Sequence, residues 1–232
     1  MYGERRRLTA SEVEQQYVAK MGAKLGKNFF WLINDYSILC MKWQGYLTLF
    51  GTRKERVDLL NKSARVFFGL LQHIMWNDIL LSISRITDSP ETCGKKNLTV
   101  HCLPGLVDGE LQSVVTAALR SISENCKFAV DWRNRLIAHR DRLLAPKEPA
   151  RPLAEANRQN VNDATESIAF LLNAVQKHYG LPEDMFDLIG AELDAENLLC
   201  MLRDGIYYDE LQHKSLINGE VHLNDLKDLP PV

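Results

Sequence analysis

The stretch KERVDLLNKSARVFFGLLQHIMWNDILLSISRIT, residues 54–87, decides the fold class of this 232-residue chain. It contains no proline, and its apolar side chains recur every three or four positions, which is the period of an α-helix. The main stripe consists of Leu60, Ala64, Phe67, Leu71, Ile74 and Leu81. Further apolar residues, including Phe68, Met75 and Ile83, widen it. A helix that is apolar on more than one side lies at the centre of a bundle or is also covered by a partner.

Helical periodicity also dominates the sequence on both sides of this stretch, and alternating strand-like runs are nearly absent. The other predicted helices cover residues 28–50, 110–138, 160–179 and 183–203. Turn residues at 88–108 and three prolines within 145–152 predict loops between helices. The predicted fold is therefore all-α, an antiparallel four- to five-helix bundle with a C-terminal helical extension. Its predicted parts are an N-terminal segment (1–24), the bundle (25–180) and an acidic helical extension and tail (181–232).

The charge of the chain is distributed unevenly. The composition, 46% hydrophobic and 25% charged, excludes wholesale disorder. Residues 181–232 contain twelve Asp and Glu against three Lys and Arg, a charge of −9. Residues 1–180 therefore carry +7 of the net −2. A basic body with an acidic extension is compatible with nucleic-acid binding, which a neutral total would seem to disfavour.

Cysteine usage and hydropathy predict a cytoplasmic protein without a membrane span. The five cysteines are widely spaced and form no C-x-x-C pair, which disfavours both a disulfide framework and a cysteine-based zinc site. The longest apolar runs have about five residues, whereas a membrane-spanning helix needs about 20. No H-x-x-x-H or H-E-x-x-H motif occurs, so we expect no metal and no cofactor.

One charged residue falls on the apolar stripe of the predicted helix 110–138. In a helical projection at about 100° per residue with Leu111 at zero, Arg133 lies at about 40°. Val115 lies at the same angle, and Ile122 and Ala129 lie close to it. Charged side chains are almost never buried unless they are paired. Arg133 therefore needs a carboxylate partner, such as Asp131 or Asp141, or it lines a wet cleft at the end of the bundle.

The surrounding run DWRNRLIAHRDR, residues 131–142, has four arginines within ten residues. One interpretation is a helix C-terminus whose cations suit the helix dipole. The other is a site for cleavage of an RNA phosphodiester, in which His139 moves a proton and Arg133 stabilises the charged transition state. Asn134 or Asp141 could then fix the imidazole tautomer.

The segment WRNRLIAHRD, residues 132–141, resembles the signature of the HEPN superfamily, an arginine and a polar residue followed at a short distance by a histidine. Here Arg133 is the arginine, Asn134 the polar residue, and His139 the histidine after five intervening positions. The blocks LLSISRITD (80–88) and NLT (97–99) resemble the branch related to abortive-infection protein U. The resemblance covers about residues 25–180.

The resemblance implies a helical bundle that is frequently a homodimer, with the motifs of two subunits facing one shared cleft. Many HEPN proteins are metal-independent ribonucleases of defence or toxin–antitoxin systems, which adds RNA and an antitoxin-type protein as possible partners, whereas others only bind. Carried over, His139 is the proton-transfer residue, Arg133 contacts the phosphate, and Asn134 assists. The remaining predicted site residues are Arg135, Arg140 and Arg142 for RNA or phosphate binding and Asp141 for orientation.

The spacing of the motif sets a geometric condition. In one regular helix Arg133 and His139 lie about 120° apart, so the helix must bend or end between them, or a second subunit must complete the site. If the second and third helices are antiparallel neighbours, Arg85 and Asp88 lie about 30–35 Å from Arg133. We therefore expect Arg85 and Asp88 to be a structural pair or a helix cap.

Three functional hypotheses remain open from the sequence. The first is a ribonuclease that uses Arg133, Asn134 and His139. The second is a non-catalytic dimeric module that binds a protein or nucleic-acid partner, with Arg133 held structurally by a carboxylate. The third is a helical domain whose site is a remnant.

Overall fold

The computed structural model describes residues 8–107, 109–137, 153–186 and 190–219. Over these ranges most residues are helical and the only strands form one short β-hairpin, which confirms the all-α prediction. The α-helices are α1 (Ala10–Met21), α2 (Ala23–Tyr46), α3 (Lys54–Ile86), α4 (Gly109–Asn125), α5 (Lys127–Trp132), α6 (Arg158–His178) and α7 (Ala191–Ile217). π-Helices follow α2 at Leu47–Gly51 and α5 at Arg133–Ile137. Between α3 and α4 lie the antiparallel strands β1 (Glu91–Thr92) and β2 (Lys95–Lys96) and a 3₁₀ helix, Val100–Gly105.

Local sequence signals explain where several helices begin. Thr9 and Glu12 form a capping box at the start of α1, in which each side chain bonds the other residue's backbone N–H. Asn157 and Asn160 form the equivalent reciprocal pair at the start of α6. Such caps satisfy N–H groups that have no partner inside the helix. The predicted helix 160–179 is therefore confirmed almost to its ends.

Two of the predicted helices differ from those observed. The helix predicted over 110–138 ends at Asn125, bends at Cys126, and continues as α5 and the π-helix Arg133–Ile137. The helix predicted over 183–203 begins only at Ala191, after Gly190 with a positive φ of 85°, and runs on to Ile217. A left-handed backbone conformation favours glycine and cannot be part of a regular right-handed helix, so α7 starts after Gly190.

The chain divides into two compact units, which are described separately. Unit 1 comprises residues 1–44 and 74–189, and unit 2 comprises residues 45–73 and 190–232. The three segments predicted from the sequence (1–24, 25–180 and 181–232) follow charge and periodicity and stay a prediction.

The core of unit 1 is formed by the inward faces of α2, α3, α4 and α6, and α4 packs directly on α6. Its fully buried side chains include Phe29, Leu32, Tyr36, Leu39, Ile79, Ile83, Ile122 and Ile168. Burying each such side chain stabilises the fold by about 1.5–3 kcal/mol. Polar bonds add direction: the Tyr36 hydroxyl donates to the Thr165 carbonyl at 2.7 Å, and Trp43 Nε1 donates to Asn162 Oδ1 at 2.8 Å.

Unit 2 contains the first part of α3, the π-helix Leu47–Gly51 and α7. Ala64 has non-helical backbone angles (φ −159°, ψ 73°), so α3 is kinked there although the sequence shows a continuous stripe. Arg56 donates to the Thr48 carbonyl at 2.9 Å and to the Glu196 carboxylate, which ties the three elements together. Lys62 and Glu210 form a second salt bridge between α3 and α7.

Helix α3 is long and apolar enough, by length and composition, to cross a membrane, with a mean hydropathy of 1.4 over its best window. Single helices of this kind are weak evidence for a membrane span, because the core helix of a soluble protein passes the same criterion. The short apolar runs of the sequence argue against a span, and that expectation stays a prediction.

Candidate functional site

The arginine of the predicted motif is held by a carboxylate at the end of α5. Nη1 of Arg133 donates to Oδ2 of Asp88 at 2.8 Å. Both side chains are about a quarter exposed, 28% for Arg133 and 27% for Asp88. The α-helix stops at Trp132, and Arg133 opens the π-helix that follows. Single π turns inside helices often mark functional sites. The prediction that Arg133 needs an anionic partner is confirmed.

The identity of that partner corrects two expectations. Asp88 was expected about 30–35 Å from Arg133, and Asp131 or Asp141 was expected to hold the guanidinium. The distance and the pairing of Arg85 with Asp88 are wrong, because Arg85 faces Asp35 at 3.7 Å and Asp88 pairs with Arg133. Of the two carboxylates that the sequence offered, Asp131 faces Arg135 at 3.5 Å, and Asp141 lies outside the described residues.

The path of residues 88–107 explains the error. The hairpin and the 3₁₀ helix lie between the end of α3 and the start of α4, and His101 of the 3₁₀ helix is still bonded to Thr87 at the end of α3. From its start, α4 covers about 25 Å on its way to Cys126. The end of α3 therefore meets α5, and not the start of α4.

Asp131 has a different task, which is to anchor the chain where it returns to the site. Its Oδ2 accepts a hydrogen bond from the Ala154 N–H at 2.8 Å. The next residue, Trp132, donates from Nε1 to the Ala154 carbonyl, also at 2.8 Å. Arg135 Nη1 lies 3.5 Å from Asp131 Oδ2. Asp131 is thus already engaged by groups other than Arg133.

Thr87 connects the Asp88–Arg133 pair to two further elements of unit 1. Its hydroxyl donates to the Ile83 carbonyl at 2.8 Å, and its side chain is hydrogen bonded to that of Cys126 at the bend between α4 and α5. Its backbone is hydrogen bonded to His101 on the 3₁₀ helix. Burial raises the pKa of the Cys126 thiol to about 12, so this thiol is protonated at neutral pH and is not a nucleophile.

His101 is the residue that the sequence reasoning missed. The half-buried ring is desolvated, which lowers the pKa of His101 below its usual value, although the hydrogen bond to Thr87 and the nearby charge of Asp88 oppose this shift. His101 is therefore neutral at pH 7. The sequence offered only a histidine in a turn-rich segment, remote from the arginine run, and no periodicity linked the two.

The predicted site residues can now be placed as far as the structure describes them. Arg133 lies in the ion pair, Asn134 is exposed beside it, and Arg135 is largely enclosed, with a side chain 17% exposed. The other predicted residues, His139, Arg140, Asp141 and Arg142, lie outside the described residues. The α-helix ends at Trp132 and the π-helix after it is described to Ile137, so the geometric condition on Arg133 and His139 stays a prediction.

Within the described ranges, no three His, Cys, Asp or Glu side chains come together as a group that could hold a metal ion. The arrangement that is described offers other chemistry. A partly exposed guanidinium, fixed by a carboxylate, can bind an anion such as a phosphate through its remaining N–H donors. The neutral imidazole of His101 lies nearby, because it is bonded to Thr87, the residue before Asp88.

Comparison with known proteins identifies one family. A family model described as AbiU2 (HEPN_AbiU2) matches residues 23–198, from the start of α2 into α7. The matched region includes Asp88, His101, Arg133 and the motif histidine His139. Neither the curated proteins nor the solved structures contain a match to the chain.

Proposed function

Since this chain belongs to the AbiU2 family of HEPN domains, we propose that it is a metal-independent ribonuclease whose site is built around Arg133. The ion pair between Arg133 and Asp88 is the observation that carries this proposal, because it fixes the guanidinium while a quarter of the side chain stays exposed. His139, six residues further along the chain, is proposed as the residue that transfers the proton. The biological setting that we propose is a bacterial defence or toxin–antitoxin system in the cytoplasm.

Arg133 has the donors that a phosphate needs. A guanidinium carries five N–H groups, and Asp88 accepts from one terminal nitrogen only. The other donors can face two phosphate oxygens in parallel, the geometry in which arginine binds phosphate best. The exposed amide of Asn134 can add a further donor beside it.

The proposed reaction needs neither a metal nor an added water. The 2′-hydroxyl of the RNA attacks the adjacent phosphorus while a base takes its proton, and the bond from phosphorus to the 5′-oxygen breaks. The leaving 5′-oxygen gains a proton, and the products are a 2′,3′-cyclic phosphate and a 5′-hydroxyl. In this scheme His139 moves a proton, and Arg133 stabilises the extra negative charge on the phosphate oxygens in the transition state.

The charge of the surrounding sequence supports an RNA substrate. Residues 133–151 contain five Arg and one Lys against two acidic residues, including the predicted RNA-contacting residues Arg135, Arg140 and Arg142. Phosphate contacts by such residues supply most of the affinity for nucleic acid. The acidic residues are concentrated at 181–232, so this positive segment belongs to residues 1–180, which carry a charge of +7.

The experiment is an RNA digestion in EDTA. Purified protein is expected to cut RNA, and His139→Ala is expected to lose the activity. The matched control is His213→Ala, which removes an exposed histidine of α7 and is expected to cut at the original rate. Cleavage that survives His139→Ala, or that needs a divalent cation, would contradict the proposal.

We also propose that the protein is a homodimer that uses α3. Three apolar side chains of this helix in unit 2, Val66, Phe67 and Leu70, are between 57% and 85% exposed. They recur at helical spacing and form one stripe, and contiguous exposed apolar surface of this kind marks an interaction site. A second copy presents the same stripe, so the surface can pair with itself around a two-fold axis.

Light scattering at micromolar concentration tests the dimer. Leu70→Glu is expected to shift the mass from dimer to monomer, whereas Phe170→Glu, at a 63% exposed position of α6, is expected to leave the dimer intact. A wild-type protein that is monomeric would refute the proposal. Co-purification with a different protein, as an antitoxin-type partner would show, or sedimentation with lipid vesicles would assign the stripe to another occupant.

The second candidate function is a non-catalytic interaction module, and the ion pair itself favours it in one respect. That hypothesis requires Arg133 to be held by a carboxylate, and Asp88 holds it. Its expected result differs from that of the ribonuclease: replacing Arg133 and His139 together lowers thermal stability by several degrees, and the wild-type protein leaves RNA intact.

A further inference from the structure

A cavity of about 580 Å³ opens on unit 1. It adjoins the group formed by Arg133, Asp88, Thr87 and His101, which is called the Arg133 cluster below. Its walls come from the start of α2, the hairpin and the 3₁₀ helix. The polar side chains among its lining residues are Lys24, Asn28, Glu91, Lys96, Asn97 and His101. The volume falls in the range of about 300–1,000 Å³ that is typical of small-molecule sites. The cavity can therefore accommodate a ligand of the size of one nucleotide.

The charge of this cavity favours an anion. Within the described part of the chain, neither Lys24 nor Lys96 forms a salt bridge. Lys24 is the second residue of α2, and the N-terminus of a helix carries a partial positive charge. The opposing charge is Glu91, which faces Lys96 across the hairpin. Two cations against one carboxylate leave the lining with a positive balance.

The cavity and the Arg133 cluster share one wall. His101 lines the cavity and is hydrogen bonded to the backbone of Thr87. The residue after Thr87 is Asp88, which binds Arg133 at 2.8 Å, and Pro90, two residues further, lines the cavity again. The segment that holds Arg133 through Asp88 therefore continues into the wall of this cavity.

From this juxtaposition we propose that the cavity is a nucleotide-binding subsite, which holds the nucleotide next to the phosphate bound by Arg133. Lys24 and Lys96 bind the phosphate of that nucleotide, and His101 contacts its ribose or base. The proposal rests on the proposed ribonuclease function, because Arg133 binds the scissile phosphate in both.

The hydrogen bond of His101 defines what this side chain can offer. The hydrogen bond with the Thr87 backbone raises the pKa of His101, which is the effect of a ring N–H that donates, so we infer that the other nitrogen of the neutral imidazole is an acceptor. Acceptors of this kind suit a ribose hydroxyl or an amino group of a base, and not a phosphate oxygen. The lysines and the histidine thus recognise different parts of one nucleotide, which distinguishes this cavity from a simple anion site.

The test is a titration of the full-length protein with adenosine 5′-monophosphate, followed by NMR of labelled histidines. The His101 signal is expected to shift as the nucleotide binds. Lys24→Ala combined with Lys96→Ala is expected to weaken binding about tenfold or more, since each lysine loses a charge-assisted bond to phosphate. Glu91→Gln is expected to tighten it.

A matched control is available on the same two elements. Lys27→Ala combined with Lys95→Ala removes the same charge from α2 and β2 at exposed positions outside the cavity, and binding is expected to stay unchanged. Equal weakening in this control, or an inorganic phosphate that binds as tightly as the nucleotide, would overturn the proposal. A titration in which the His101 signal does not move would overturn it as well.

The outcomes separate this proposal from the ribonuclease itself. RNA cleavage that continues at the wild-type rate and affinity in the Lys24 and Lys96 double variant refutes the subsite and leaves the ribonuclease standing. Nucleotide binding at His101 in a protein that does not cut RNA refutes the ribonuclease and keeps a nucleotide site.

Discussion

Each unit of this protein contains an arginine bonded to a carboxylate, and the two pairs differ in how many donors remain. In unit 2, Arg56 uses Nη1 for the Thr48 carbonyl and Nη2 for Glu196. In unit 1, Arg133 uses Nη1 for Asp88, and its other nitrogens bond to no other group in the described part of the chain. The first arginine is a tie between three elements. The second has donors that no described group of the chain occupies.

The two arginines also differ in the secondary structure and the side chains around them. Arg56 lies in the first turn of the regular helix α3. Arg133 starts a π-helix, and the residue before its carboxylate partner is bonded to the neutral His101. An ion pair alone therefore says little about function, and the proposal for Arg133 rests on its donors, the neutral imidazole and the positively charged cavity together.

The largest expected effect is on catalysis at Arg133. Arg133→Ala is expected to lower the rate of RNA cleavage about 100-fold or more, which is the usual loss when a donor to the transition-state charge is removed. Arg133→Lys keeps the charge but not the fork of donors, and is expected to recover only part of the rate. Single-turnover cleavage of a labelled RNA measures both. Full activity in Arg133→Ala would remove the distinction between the two arginines.

The second expected effect is on stability at Arg56. Arg56→Ala is expected to reduce the free energy of unfolding by about 1–2 kcal/mol, because the buried end of the side chain loses two hydrogen bonds while the half-exposed Glu196 is screened by solvent. The cleavage rate at a temperature where the variant is folded is expected to stay unchanged. Urea unfolding and cleavage on the same sample provide both values, and a loss of activity without a loss of stability would contradict this assignment.

A smaller effect is expected from the carboxylates. Asp88→Asn keeps a hydrogen-bond acceptor for Arg133 but removes the charge, so we expect cleavage to fall about tenfold through weaker positioning of the guanidinium. Glu196→Gln makes the corresponding change in unit 2 and is expected not to affect cleavage. Equal rates for Asp88→Asn and the wild type would mean that the ion pair does not orient the site.

The smallest expected effect concerns pH. The pKa of His101 is lower in the folded protein than its ordinary value of 6.5, mainly because the ring is desolvated. Just below pH 6.5 the unfolded chain therefore binds more protons than the folded protein. The stability that depends on a neutral His101 is present above pH 6.5 and is lost as the pH falls towards the folded pKa. Urea unfolding at pH 7.5 and 5.5 is expected to show a smaller difference for His101→Gln than for the wild type. The exposed His213→Gln is expected to behave like the wild type, and a reduced difference in that variant would contradict the assignment.

Much of the fold could be predicted from local pattern. The apolar spacing in residues 54–87 and 160–179 is confirmed as the helices α3 and α6. Helix α6 buries the stripe that the sequence shows, whereas Phe67 and Ile74 of the predicted α3 stripe are exposed. The break at Cys126 could not be predicted in this way. Ala129 and Leu136 continue the apolar stripe across it, and Cys126 is hydrogen bonded to Thr87, which lies 39 positions earlier in the chain.

The site was predictable only in part for the same reason. Arg133 stood out because a charge on an apolar stripe needs a partner, and that need is local. The identity of the partner depends on the route of residues 88–107, after which Asp88 lies at Arg133 and His101 lies at Thr87. Turn residues indicate that a chain reverses or bends, but not how far it travels before the next helix begins.

The most direct test of the central claim is a crystal structure with an RNA oligonucleotide that carries a 2′-deoxy nucleotide at the cleavage position. The account predicts a phosphate within about 3 Å of the Arg133 guanidinium, with the Asp88 bond intact and no phosphate at Arg56. A complex in which the RNA lies elsewhere on the protein, with Arg133 facing only Asp88, would contradict it.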